Sequence, residues 1–125
     1  MPVPTGTFFQ LFDSTTGEWS HPWFVISPPI GDDGDALCVN VTTDDPFGDQ
    51  SCLILPGEHP KITAASVVAY GFAKLLPTEK LAGAPDSLVI KGPPANGALL
   101  KRMQDGGRNS PHLRPRFKSI LELEP

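Results

Sequence analysis

The sequence predicts a mainly β fold, a meander or small barrel carrying one or two helices at its C-terminal side. Three features predict it. Apolar runs such as Trp23 to Ile26 and Ala36 to Val41 are short, rich in Trp, Phe, Val and Ile, and bounded by Pro, Gly and Asp, which suits buried strands better than helices of about ten or more residues. The 125 residues include 15 prolines and 12 glycines; proline is excluded from helix interiors and central strands, so the elements between must be short. Finally, the apolar runs recur at roughly ten-residue spacing, the rhythm of a meander or small barrel.

Each element has its own signal. Thr7 to Phe12 reads as a first strand, and Asp13 to Gly17, built from Asp, Ser, Thr and Gly, as a turn. Trp23 to Ile26 and Ala36 to Val41 form the second and third strands, joined by a stretch of Pro, Gly and Asp, and the third ends in Thr42 and Thr43. Ser51 to Leu55 makes a fourth, stopped by Pro56 and Gly57. Ser66 to Leu76 mixes β-favouring Val67, Val68, Tyr70 and Phe72 with helix-tolerant Ala69, Ala73 and Leu75; it is taken as a strand. Thr78 is placed to cap one helical turn through Ala82, and Ser87 to Lys91 gives a short further strand ended by Gly92, Pro93 and Pro94. Asn96 is a good cap for a helix over Gly97 to Gln104, with Leu99, Leu100 and Met103 apolar and Gly106 as its exit. A second helix is expected from Pro115 to Leu121, with Pro in its first turn and Phe117, Ile120 and Leu121 on one face.

One domain is expected over residues 1–125, a size that buries roughly two thirds of the surface of the unfolded chain. Net charge is −4, so the overall field does not attract a polyanion and any nucleic-acid contact must be local. Lys101, Arg102, Arg108, Arg114, Arg116 and Lys118 concentrate positive charge in the last quarter, which reads as a solvated helical tail before an RNA track. Cys38 and Cys52 each sit in an apolar run without histidine spacing around them, which favours two buried thiols over a disulfide or a zinc site. No stretch near the N-terminus has signal-peptide form and no apolar run approaches the roughly 18 residues of a membrane span. A cytoplasmic protein without membrane association is therefore expected.

The order of elements resembles the PemK/MazF-like toxin superfamily. The residues that carry the resemblance are His21-Pro22-Trp23-Phe24-Val25-Ile26-Ser27, Asn40-Val41-Thr42-Thr43, and the run Ser66-Val67-Val68-Ala69-Tyr70-Gly71-Phe72-Ala73-Lys74-Leu75, within roughly residues 6–106. The resemblance implies an SH3-like barrel over about residues 6–92 with a helical part over about 95–123 packed against it. It also implies a toxin of a toxin-antitoxin system, metal-independent cleavage of single-stranded RNA, an antitoxin partner, and a homodimer formed through the barrel. Two positions depart from the family pattern: His21 stands where catalytic members carry arginine, and Gly71-Phe72-Ala73-Lys74 stands for Asp-Gln-Val-Arg. Thr42 or Thr43 keeps the small hydroxyl of the family site.

Cleavage by the neighbouring 2′-hydroxyl needs a general base, a general acid and donors for the developing charge; no metal or other cofactor is expected. His21 and His59 are the candidate proton-transfer groups, imidazole being the side chain that ordinarily titrates near neutral pH. Thr42 and Thr43 are candidates to hydrogen-bond the scissile phosphate, Lys61 and Lys74 to stabilise its charge, and Trp19 and Phe47 to stack on unpaired bases. Each has a structural competitor. His21 precedes Pro22 and suits a strand start; His59, between Glu58 and Pro60, suits a turn whose ring packs on its loop. Thr42 and Thr43 also suit ordinary β-branched strand positions, Lys74 an exposed barrel charge, and Trp19 and Phe47 a cap over the barrel's open end. Ser110-Pro111-His112 has no carboxylate nearby in the chain and is weak as part of a triad. The alternative function class is a non-catalytic module that lays a peptide or protein segment along the same groove.

Overall fold

A computed structural model describes residues 4–30, 34–44 and 48–122 of the chain. Its strands are β1 (Phe8–Asp13), β2 (Glu18–Trp19), β3 (Trp23–Val25), β4 (Asp35–Thr43), β5 (Leu53–Ile54), β6 (Ser66–Pro77) and β7 (Val89–Gly92). The helices are α1 (Thr78–Gly83), between β6 and β7, then α2 (Gly97–Asn109) and α3 (Pro115–Glu122). The fold is mainly β, as expected. All ladders are antiparallel and join the strands in one sheet ordered β7, β1, β3, β4, β6, β5, with β2 pairing the far end of β1.

Period-two alternation sends neighbouring residues to opposite faces, and here both faces are partly buried. On the first face Phe8, Phe24, Leu37, Val39, Val41, Val68 and Tyr70 pack with Leu99 and Met103 of α2 and Phe117 and Leu121 of α3. On the second face Phe9, Trp23, Val25, Ala36 and Cys38 pack with Leu81 of α1 and Val89 of β7. The paired Phe8-Phe9 and Trp23-Phe24 each supply one ring to either side. Cys38 and Cys52 are buried free thiols, and burial pushes the Cys38 thiol up to about 12.

The expected closed barrel is corrected to an open sheet, since no ladder joins β5 to β7 or β1 among the described residues. The cause is local. β5 has only two residues before Pro56 and Gly57 end it, and Gly57 takes φ +91°, the left-handed region that favours glycine. The seam is crossed by a side chain: His59 Nε2 meets the Pro93 carbonyl at 2.5 Å, just beyond β7. The His59 ring stacks on Phe8 (centroids 4.9 Å, 20° between planes) and meets Phe24 edge to face (5.2 Å, 86°).

Two helix expectations need correction. Thr78 does not cap α1; its Oγ1 donates to the Gly34 carbonyl, 2.8 Å away, and Pro77 occupies the N-cap position without a side-chain cap. Gly106 does not end α2, which runs to Asn109. Its glycine serves close approach: a Cβ there would lie 2.8 Å from Cys52 Cβ and 3.0 Å from the Ser51 carbonyl oxygen, and against Tyr70 Oη. Tyr70 Oη in turn donates to the Met103 carbonyl at 2.6 Å, locking α2 onto β6. Asn96 caps α2 as expected, its side chain accepting from the Leu99 N–H at 2.8 Å.

Candidate functional site

α1 is six residues long and covers only the half of the second sheet face that carries Ala36 and Cys38. Beyond it, the same face of β4 continues with Asn40 and Thr42, which stand opposite Ala69 and Val67 of β6. On the neighbouring strand Trp23 faces Asn40, and His21, two residues earlier on the same side, is exposed. Three shallow depressions run together along this uncovered half. One of about 160 Å³ is lined by His21, Thr42, Thr43, Lys61 and Ser66. The next, about 260 Å³, is lined by His21, Asn40, Thr42, Ala69 and Phe72. A third, about 280 Å³, shares Thr42 and Phe72 and adds Asp49 and His112.

Phe72 is there because β6 breaks register. Cys38 pairs with Lys74 but Asn40 with Ala69, so Tyr70, Gly71, Phe72 and Ala73 all lie opposite Val39 alone. Tyr70 turns into the core at 1 % exposure, and Phe72 turns out at 69 %. Asn40 Oδ1, on the floor of the middle depression, is buried without a hydrogen-bond partner, an acceptor available to a bound N–H.

The far wall is held by a carboxylate. Asp49 accepts from the Ser51 N–H at 2.9 Å and from the Ser51 and Ser110 hydroxyls at 2.5 Å each. Burial alone would raise its pKa; the Ser110 and Ser51 hydrogen bonds and the charge of His112 hold it below the usual carboxylate range. Ser110 is fully buried and bonded to Asp49, with the His112 N–H donating to its oxygen at 3.0 Å. The carboxylate that is missing nearby in sequence thus arrives from Asp49, and it makes a structural knot with no accessible nucleophile.

Of the residues predicted from sequence, His21, Thr42, Thr43 and Lys61 come together around one depression. His59 does not join them. Its Nδ1 accepts from the Lys61 N–H at 3.0 Å, which leaves the proton on Nε2 to donate to Pro93, and the ring is 2 % exposed. Lys74 lies further along β6, its Nζ 5.8 Å from the centre of the Trp23 ring, in a concavity shared with Arg114 and Arg116. Trp19, in β2, pairs with Phe12 and meets its ring edge to face at 5.2 Å, and it lines none of the three depressions. Phe47 lies outside the described residues.

Sequence reasoning missed Asn40 and Phe72 as site residues. A signal for Phe72 exists in Gly71, because a glycine inside a strand pattern marks a bulge. Charge separates this region from α2. Lys101, Arg102 and Arg108 of α2 are ion-paired with Asp105, Glu58 or Glu122, whereas Lys61, Lys74, Arg114 and Arg116 pair with no acidic side chain among the described residues. Among those residues there is also no cluster of three His, Cys, Asp or Glu side chains suited to a metal ion, and no helix is long and apolar enough to cross a membrane. Comparison of the chain with protein-family models, with curated proteins and with solved structures finds no match.

Proposed function

We propose that this protein binds single-stranded RNA along the uncovered half of the second sheet face, as a divergent relative of the PemK/MazF-like toxins whose open sheet corresponds to their SH3-like barrel. The observation that carries the reading is the convergence of His21, Thr42, Thr43 and Lys61 on one depression that runs on to an exposed Phe72. Hydroxyl and cationic donors beside an aromatic ring suit a nucleotide, whose phosphate takes hydrogen bonds and charge while its base stacks. Net charge −4 requires the attraction to be local, and Lys61, which lines the depression and pairs with no acidic side chain among the described residues, supplies it there.

Binding has more support than cleavage. In-line attack by a 2′-hydroxyl moves one proton off the nucleophile and another onto the leaving oxygen. With His59 turned inward and bonded at both nitrogens, His21 is the remaining imidazole of the expected pair at the depression. A fluorescently labelled 12-mer of mixed-sequence RNA tests both readings. Anisotropy should show binding that weakens with salt, and Phe72→Ala should lower affinity at least about fivefold, since stacking contributes roughly 1–3 kcal/mol per base. The same samples run on a denaturing gel should stay intact. No binding at low salt would sink the RNA reading, and cutting abolished by His21→Ala would restore catalysis to it.

A further inference from the structure

On the other side of Phe72, β6 and the start of α3 enclose a separate concavity of about 420 Å³, lined by Phe72, Lys74, Arg114, Arg116 and Phe117 among others. Every charged side chain on its wall is a cation, and none of the three is ion-paired with a described acidic residue. The cations are also laid in place. The Arg116 guanidinium sits 4.8 Å and that of Arg114 5.9 Å from the centre of the Phe117 ring, whereas Lys74 Nζ lies over Trp23 on the second sheet face, 5.8 Å from the centre of its ring. Such contacts restrict long side chains before a ligand arrives, which lowers the ordering cost of capture. Because an aromatic face carries no net charge, these contacts do not neutralise the cations.

We propose that this concavity is a binding site for a phosphate-bearing anion, held by Arg114 and Arg116, with Phe72 as an adjoining ring for a base. A solvated basic face is the competing description. It accounts poorly for two neighbouring guanidinium groups turned onto one ring of the concavity in a chain of net charge −4, when every paired cation of the described region lies on α2. Guanidinium forks match two oxygens of a phosphate at once, and a doubly charged phosphate answers two guanidinium groups better than a single carboxylate does. The volume is within the roughly 300–1,000 Å³ of small-ligand sites. Two sources share this chemistry: the terminal phosphate of a nucleic-acid strand, and a free nucleotide.

The test uses the full chain and inorganic pyrophosphate, so it stands apart from RNA binding at the His21–Thr42 strip. Calorimetry at low salt should give a dissociation constant below about 1 mM. Arg114→Gln and Arg116→Gln should each weaken it about tenfold, as expected for losing a hydrogen bond between charged groups. Arg116→Lys, which keeps the charge but not the fork, should fall between, and Lys80→Gln on α1 should match the wild type. Thermal melts of all variants confirm that each is folded. Tighter binding of a 5′-phosphorylated strand than of its dephosphorylated twin would assign the site to strand ends; equal binding of the two strands, with ADP bound more tightly than pyrophosphate, would assign it to free nucleotides. Absence of pyrophosphate binding, or equal affinity in wild type and the two Arg→Gln variants, would overturn the proposal whatever RNA does elsewhere.

Discussion

Replacing Gly106 with alanine pits helix propensity against packing. In an exposed helix interior the change stabilises by roughly 0.8–1.0 kcal/mol. Here the new Cβ would lie 2.8 Å from Cys52 Cβ and 3.0 Å from the Ser51 carbonyl oxygen, with Tyr70 Oη closer still. Two of those neighbours are fixed by backbone, so α2 must shift. Overpacking of this kind costs about 1–3 kcal/mol, and a shift that breaks the 2.6 Å Tyr70–Met103 hydrogen bond adds about 1 kcal/mol. The sum is a net loss of about 1–3 kcal/mol, which for a chain of this size lowers Tm by roughly 4–12 °C. Urea titrations followed by circular dichroism, with thermal melts beside them, measure it. Gly97→Ala is the control, because a Cβ there meets nothing within 4 Å; it should leave stability unchanged or raise it slightly. Tyr70→Phe combined with Gly106→Ala should lose less than the sum of the two single changes, since removing the hydroxyl removes the nearest obstacle. A Gly106→Ala protein as stable as wild type would refute the close docking of α2 on β5 and β6.

His59→Ala removes a ring packed on Phe8 and Phe24 and both hydrogen bonds of its nitrogens, so stability should fall by about 2–4 kcal/mol. RNA affinity per folded molecule should not change, and weaker binding by a fully folded variant would return His59 to the site. For Asp49 the sign follows from a folded pKa held below the usual carboxylate range: its stabilisation is present above that range and lost as pH falls through the folded pKa. Asp49→Asn should therefore be less stable than wild type at pH 7, by urea titration, with the gap narrowing as pH falls below the usual carboxylate range. A gap that is constant across this range would show that the carboxylate's charge contributes nothing to holding Ser110.

Much of the architecture was legible because each strand carries its own boundary. Pro56 and Gly57 after β5, Gly92 at the end of β7, and Asn96 before α2 act within a few residues, and such short-range chemistry is visible in a linear sequence. The misses are long-range. Gly106 reads as a helix exit by composition; only the approach of Tyr70 and Cys52, distant in the chain, shows why a mid-helix position lacks a Cβ. His59 suits by sequence either a proton-transfer group or a turn residue packed on its own loop, whereas its ring partners Phe8 and Phe24 come from β1 and β3 and its Nε2 partner Pro93 follows β7, all distant in the chain. At the site, His21, Thr42, Thr43 and Lys61 were legible as residue types suited to phosphate. Phe72 and Asn40 were not, because their roles come from the register break against Val39 and from what α1 leaves uncovered.

Sequence resemblance and structure pull on different halves of the functional reading, and the length of α1 bears on both. A sheet with two apolar faces normally needs a layer on each. α2 and α3 supply the first layer in full, but α1 ends at Gly83 after placing Leu81 over Ala36 and Cys38. From that point the β4 pattern changes from Ala36 and Cys38 to Asn40 and Thr42 on the same face, so the composition turns polar where cover stops. A chain selected only for burial would continue the apolar alternation or lengthen the helix. The switch to an amide, a hydroxyl and the rim imidazole of His21, beside a ring held outward at Phe72, suits a surface kept open for a ligand. It asks for binding groups, and with His59 committed to the seam the imidazole beside Thr42 and Thr43 is that of His21, while His112 lines the far depression.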